Sequence, residues 1–255
     1  MGYSEKVTDD KAKLNTGYDC LFSYVINENT VKHEVERNLD MIRILGGVVQ
    51  EKRLELYLGQ EDEAFAEQTL TFHGICDSDL LIALSPGAGS GKRMWPLHRF
   101  VELGAWLKRE YDARILIVGG RGEEPLGHFF EQRLDGTVNV VGETSLRQTG
   151  ALLKRCNLFV GNDAGPMHLA AAAGIPVIEI SCHPRDGSPL HYNSPTRFGP
   201  WGVPHFVIQR DRAMPPCSEE CVASQAHCIL GISVEEVSKA VARMISRESN
   251  TKFSE

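Results

Sequence analysis

LLIALSPGAGSGKRMWP, residues 80–96, runs from an unbroken apolar stretch straight into a glycine-rich turn with two adjacent cations, Lys92 and Arg93. A strand with no polar face belongs inside a sheet covered on both sides. The same pattern recurs downstream. RILIVGG (114–120), VNVVG (138–142), NLFVGND (157–163), IPVIEIS (175–181) and HFVIQR (205–210) read as further short buried strands. Segments of helical period alternate with them: HRFVELGAWLKREY (98–111), EEPLGHFFEQRL (123–134), SLRQTGALLKRC (145–156), PMHLAAAAG (166–174) and SVEEVSKAVARMIS (233–246). Strands alternating with helices at this spacing predict an α/β fold, a Rossmann-like doubly wound parallel sheet. Ligands on such sheets bind beyond the carboxyl ends of the strands, which directs attention to the turns at 85–96, 119–124 and 161–168.

The first turn imitates two phosphate motifs and satisfies neither. A Walker loop needs G-x-x-x-x-G-K-[ST]. Pro86 stands where its first glycine belongs, and Arg93 where its magnesium-binding hydroxyl belongs. A dinucleotide fingerprint must open directly into a helix, and Trp95-Pro96 intervenes. What remains is a turn with backbone N–H groups and two cations, suited to an anion such as a pyrophosphate, or a plain solvated glycine turn. In the second turn, Gly119-Gly120-Arg121-Gly122-Glu123-Glu124, a carboxylate can accept from ribose hydroxyls; equally, both acids suit a helix N-terminus without any ligand. The third turn, VGNDAGPMHLAAAAGIPV, places Asp163, Gly165, Pro166 and His168 at a helix mouth, where N–H groups and the dipole attract phosphate. Asp163 reads there as helix cap, ligand, or both.

The rest of the chain sets limits. With 255 residues and 42% hydrophobic side chains, it can build one large domain or a domain with an appendage. A net charge of −7 without a basic stripe argues against a nucleic-acid partner. No apolar run reaches the roughly 20 residues needed to span a bilayer, and MGYSEKVTDDKAK has no secretory core, so a cytoplasmic location is the expectation. Residues 1–18 read as a polar, poorly ordered tail. LFSYVI (21–26) is a candidate short strand or apolar anchor, and LELYL (54–58) a candidate strand. VKHEVERNLDMIRILGG (31–47) and QEDEAFAEQTL (60–70) are candidate helices. Seven cysteines, an odd number, oppose a secreted disulfide scaffold. Cys217, Cys221 and Cys228 lie near His227 in a C-x3-C-x6-C arrangement that could hold zinc but matches no common zinc module, so reduced thiols or an incidental pair, with no metal, are the expectation there.

Taken together, SPGAGSGKRMWPLHRFVELGAWL and VGNDAGPMHLAAAAGIPVIEI resemble glycosyltransferase family nine, the ADP-heptose:lipopolysaccharide heptosyltransferases. FGPWGV, the cysteine region with CILGISVEEV, and HEVERNLDMIRILG are also similar to that family. The resemblance implies the C-terminal, donor-binding half of a GT-B enzyme over 79–255, preceded at 1–78 by a short N-terminal remnant and linker. It implies an inverting, metal-independent transfer of a heptose-type sugar from ADP-heptose to a lipopolysaccharide core acceptor, with no cofactor. Gly87, Ala88, Lys92 and Arg93 would grip the diphosphate together with Ala164, Gly165, Pro166 and His168. Glu123 would take the ribose, and Asp163 would lie near the sugar and diphosphate. The general base would belong to an acceptor domain that this stretch of sequence does not show. Two departures stand out: Arg93 replaces the family's lysine, and Ala164 replaces a small hydroxyl residue. The alternatives are a non-catalytic nucleotide-sugar binding module and a transferase with another donor. Peripheral contact with the inner face of the inner membrane is compatible with such an acceptor.

Overall fold

The computed structural model describes residues 1–4, 17–27, 30–218 and 223–251. Most of the polar N-terminal stretch, and Cys221, lie outside the described residues. The main sheet has six strands, all parallel: β3 (Leu81–Ser85), β4 (Arg114–Ile117), β5 (Val138–Asn139), β6 (Leu158–Asn162), β7 (Val177–Ile180) and β8 (His205–Ile208). Their order across the sheet is β5-β4-β3-β6-β7-β8. The chain winds outward from β3 to β5, then crosses back to β6 on the other side of β3. The direction of winding therefore switches between β3 and β6, the place where an open parallel sheet leaves a crevice.

The central strands are largely apolar on both sides because both sides are covered, whereas the edge strand β8 is only partly buried. Ile82 and Leu84 of β3 enter one core with Trp95, Phe100, Leu103, Leu107, Phe130 and Val237. Leu81 and Ala83 enter the other with Ala66, Leu70, Leu152, Phe159, Met167 and Ala170. The helices that supply these side chains are α2 (Gln60–Phe72), α3 (Leu97–Tyr111), α4 (Glu124–Glu131), α5 (Leu146–Lys154), α6 (Gly165–Ala172) and α8 (Val234–Thr251); α1 is Glu34–Ile44 and α7 the short turn Pro195–Phe198. Capping boxes set two starts. Ser145 accepts from Gln148 N at 3.2 Å while Gln148 Oε1 accepts from Ser145 N at 2.9 Å. Ser233 and Glu236 do the same at 3.2 and 2.7 Å. Gly174, at φ +84, ends α6 in the left-handed region that a Cβ disfavours.

The expected strand at 54–58 does not form. Those residues lie over α5 instead of beside another strand, with Leu56 so close to Gly150 that a Cβ there would stand 2.7 Å from it. Leu54 and Leu58 pack on the flank of the core. A strand needs a ladder partner, and this segment has only a helix surface. LFSYVI narrows to β2 (Val25–Ile26), paired in parallel with β1 (Gly2–Tyr3). Helix α2 contributes Ala66 and Leu70 to the core around β3 and β6, so residues N-terminal to position 79 belong to the packed unit. The α1 region is tied to the far end of the chain as well. Arg197 donates to Glu34 at 2.6 Å, His33 Nε2 meets Gly199 O at 3.0 Å, and the His33 ring stacks on Trp201 at 4.5 Å. Among the described residues, no helix is long and apolar enough to cross a membrane.

Candidate functional site

The loop after β3 leaves the sheet at the switch point and is pinned from beneath. Asn162, the last residue of β6, is fully buried, and its side-chain amide is shared across that loop. Its Oδ1 accepts from Trp95 N at 3.0 Å, and its Nδ2 donates to Pro86 O at 2.8 Å. Trp95 is buried edge-on against Phe100 at 4.9 Å, and its indole N–H donates to Ile232 O at 2.9 Å. Both ends of the loop 86–95 are therefore fixed while its glycines bridge the mouth of the crevice. A short 3-10 turn, Gly91–Arg93, carries the two cations.

The second turn comes up against the first. Glu123 accepts from Gly120 N at 2.7 Å, which folds its carboxylate back over the turn. A Cβ on Gly87 would collide with that carboxylate, and one on Gly119 would stand 2.9 Å from it. Glycine at 87 is thus a packing requirement of the Glu123 position. Gly87→Ala should displace either the loop or the carboxylate.

At the third turn, α6 starts at Gly165, so its N-cap falls on Ala164, with φ −156 and ψ 170 and no side-chain oxygen to offer. Asp163 therefore does not cap the helix, which removes capping from the roles that the sequence left open. The helix starts one residue too late for its side chain to reach the first-turn amides, and the carboxylate turns to Arg93 instead, Oδ2 to Nη1 at 3.5 Å. Added atoms at Gly165 would meet nothing within 4 Å, so the start of α6 faces open space. Lys92 diverges from Arg93 and donates to the Tyr192 hydroxyl at 2.6 Å.

These turns border a cavity of about 860 Å³. Its wall includes Gly87, Ala88, Glu123, Ala164, Gly165, Pro166 and His168. Lys92, Arg93 and Asp163 lie outside its lining, the Arg93–Asp163 pair flanking it; Arg93 Nη2 would stand 3.0 Å from a Cβ on Gly89. The opposite wall comes from Glu55, Leu56, Thr144, Ser145 and Thr149. Sequence reading missed these residues. Thr144 and Ser145 follow β5 at its carboxyl end, so the strand-end rule could have found them. Asn162 also went unnoticed, since its role depends on the loop folding over it.

Electrostatics mark the same spot. Burial pushes the Asp163 carboxyl above its ordinary value, and Arg93 and His168 pull it back. Burial pushes the His168 imidazole down, against the raising effect of Asp163. Glu179, fully buried in β7, is pushed well above its ordinary 4.5, first by burial and then by Asp163. Among the described residues, its Oε2 has no hydrogen-bond partner. A folded-state value raised in this way means that the folded chain holds a proton that the unfolded chain releases. Glu179 thus contributes stability that is full below 4.5 and is lost as pH rises through its raised value. His183, pushed down to about 4 by burial, has the opposite sign and costs stability as pH falls from 6.5. The Glu179→Gln variant isolates the first effect. Its stability relative to the wild type should rise as pH rises above 4.5 in urea titrations; a constant difference there would show that Glu179 is ionised in the folded chain as it is in the unfolded one.

A family model for glycosyltransferase family 9 (heptosyltransferase) matches residues 14–227. The chain belongs to glycosyltransferase family 9. Among relatives, it is 34% identical over 107 residues to lipooligosaccharide heptosyltransferase 2 of Haemophilus influenzae, covering 39% of this chain and 30% of that protein. It is 23% identical over 178 residues to the lipopolysaccharide core heptosyltransferase OpsX of the same organism, covering 66% and 45%. It thus spans less than half the length of both. The fold superposes on a family 9 glycosyltransferase of Veillonella parvula at a TM-score of 0.77, with 20% identity, 90% of this chain and 65% of that one. On E. coli ADP-heptose lipopolysaccharide heptosyltransferase II the score is 0.67, with 18% identity, 97% and 76%. The parallel sheet and its crevice are therefore those of a family 9 glycosyltransferase.

Proposed function

We propose that this chain is the donor-binding part, centred on residues 79–255, of a glycosyltransferase that moves a heptose-type sugar from ADP-heptose to a lipopolysaccharide core acceptor. One observation carries the reading: the loop after β3, the Glu123 turn and the uncapped start of α6 border one cavity at the switch point of the sheet. The nucleoside fits between the Gly87–Gly89 and Thr144–Thr149 walls, with Glu123 as acceptor for ribose hydroxyls. The diphosphate then lies toward Ala164–His168 and Arg93, held by amides at a helix N-terminus and by a guanidinium. Support comes from the family membership and from relatives named as heptosyltransferases.

Transfer with inversion needs the leaving ADP to accept negative charge as the sugar bond breaks. Preorganised amides and Arg93 stabilise that charge without a metal. Arg93 is released to the phosphates from a 3.5 Å ion pair with Asp163, and Asp163 is left facing the sugar. The acceptor hydroxyl also needs a base within hydrogen-bond reach. That base is expected from an acceptor domain, and a donor half acting alone would bind without transferring. A catalytically silent nucleotide-sugar binding module is accordingly the second reading.

Calorimetry with ADP, ADP-heptose and UDP tests the donor. ADP and ADP-heptose should bind and UDP should bind less well; tighter UDP binding would move the reading to another donor, and no binding by any of them would end it. A transfer assay on a heptose-deficient acceptor then separates the transferase from the silent module.

A further inference from the structure

We propose that Cys217, His227 and Cys228 hold one divalent transition-metal ion of the zinc class, clasping the segment that backs the phosphate loop. The spacing of these residues in sequence matches no common zinc module, but the fold brings their ligand atoms within 4.8 Å of one another. His227 Nδ1 stands 3.6 Å from Cys217 Sγ and 3.5 Å from Cys228 Sγ. Tetrahedral bonds of about 2.3 Å to sulfur and about 2.1 Å to nitrogen predict an N···S edge of about 3.6 Å. Both N···S edges therefore have the length such an ion requires.

The donor set decides the class of ion. Two thiols and one imidazole are soft to borderline ligands that suit zinc and its neighbours. Among the described residues the cluster contains no carboxylate, and thiols with an imidazole do not suit calcium or magnesium, which take oxygen. Cys217 and Cys228 are 7% and 2% exposed, so a bound cation would meet both thiolates away from bulk water. Binding releases both thiol protons and requires His227 to be neutral, with its Nδ1 lone pair toward the ion. A donor beyond these three completes the tetrahedron.

Position gives the site a purpose. Cys228 opens the 3-10 turn Cys228–Gly231, directly before Ile232. Leu230 O and Ile232 O accept from Arg99 at 2.7 and 2.6 Å, and Ile232 O also accepts the Trp95 indole. Upstream, a Cβ on Gly91 would stand 3.3 Å from Gln225 Oε1, so the cysteine segment touches the loop that carries Lys92 and Arg93. The segment has few apolar anchors of its own between Cys217 and Cys228, and an ion would fix it there, much as small metal modules use a metal in place of a core.

Weak S–H···N hydrogen bonds would give the same distances, and metal content separates the two. The full 255-residue chain, purified without a metal-affinity step, should carry about one equivalent of zinc-class metal by plasma mass spectrometry. Cobalt(II) added to the apo chain should produce a thiolate-to-cobalt charge-transfer band and tetrahedral ligand-field bands. Cys217→Ser and Cys228→Ser should lose the charge-transfer intensity, His227→Ala should weaken cobalt binding at least ~10-fold, and Cys76→Ser, at an exposed cysteine, should change neither. Chelation should lower the melting temperature. A folded wild type with no bound metal and no thiolate band with cobalt would overturn the proposal. So would a Cys217–Cys228 disulfide found by non-reducing peptide mapping. If the serine variants fail to fold, the wild-type cobalt spectrum and the chelator response still decide.

Discussion

Trp95→Ala is expected to cost about 3–5 kcal/mol of unfolding free energy, the usual range for deleting a buried tryptophan. Trp95 is 1% exposed and sits at the junction of three structures. Its ring packs edge-on against Phe100 of α3, its indole N–H donates to Ile232 O before α8, and its backbone N–H donates to Asn162 of β6. Truncation removes the ring contacts and leaves a carbonyl with one donor fewer. Urea unfolding reads the loss as a lower midpoint at unchanged slope. Trp95→Phe keeps most of the ring and should recover more than half of the loss. If Trp95→Ala unfolds within about 1 kcal/mol of the wild type, the loop is not anchored through this side chain. The variant should also bind ADP less well than its remaining stability explains, because the anchor sits just beyond the loop's two cations.

Arg93→Ala is expected to weaken ADP binding by about 1 to 3 kcal/mol, roughly 5- to 150-fold, the usual loss for a charge-assisted hydrogen bond. Two effects add. The diphosphate loses a guanidinium partner, and Asp163, already pushed up by burial, loses the cation that pulls it back. Asp163 should then titrate higher in the variant, so its ADP affinity should depend more steeply on pH. Arg93→Lys keeps the charge but loses the planar fork, and should fall between the two. Calorimetry at two pH values measures both terms. Equal ADP affinity in wild type and Arg93→Ala, with the fold intact, would remove the pair from the donor site.

Much of this protein is legible without coordinates. The six largely apolar runs became the six parallel strands, because a strand covered on both faces has little polar side to write into its sequence. The Ser233/Glu236 start of α8 was equally plain, since a capping box is a contact between residues three apart. LELYL marks the limit of that legibility. Its alternation reads as a strand, but whether a ladder partner or a helix surface lies alongside is a long-range fact. Asp163 shows the same boundary on the scale of one residue. Its distance from the helix start depends on which φ and ψ Ala164 adopts, and a one-residue change swaps a capping role for an ion pair with Arg93, seventy positions away in the chain.

Local chemistry therefore determined the strands, the helices, the glycine turns at the strand ends and the membership of the sheet class. These depend on hydrophobic burial and on contacts a few residues apart, which sequence order preserves. Only the tertiary structure decided that Gly87 yields room to Glu123, that Asn162 ties down the loop, that α6 begins uncapped, and that two cysteines and a histidine share one corner. Such meetings join residues far apart in the chain or fix side chains at tenths of an ångström. They follow from how the layers pack, and no periodicity along the chain encodes packing.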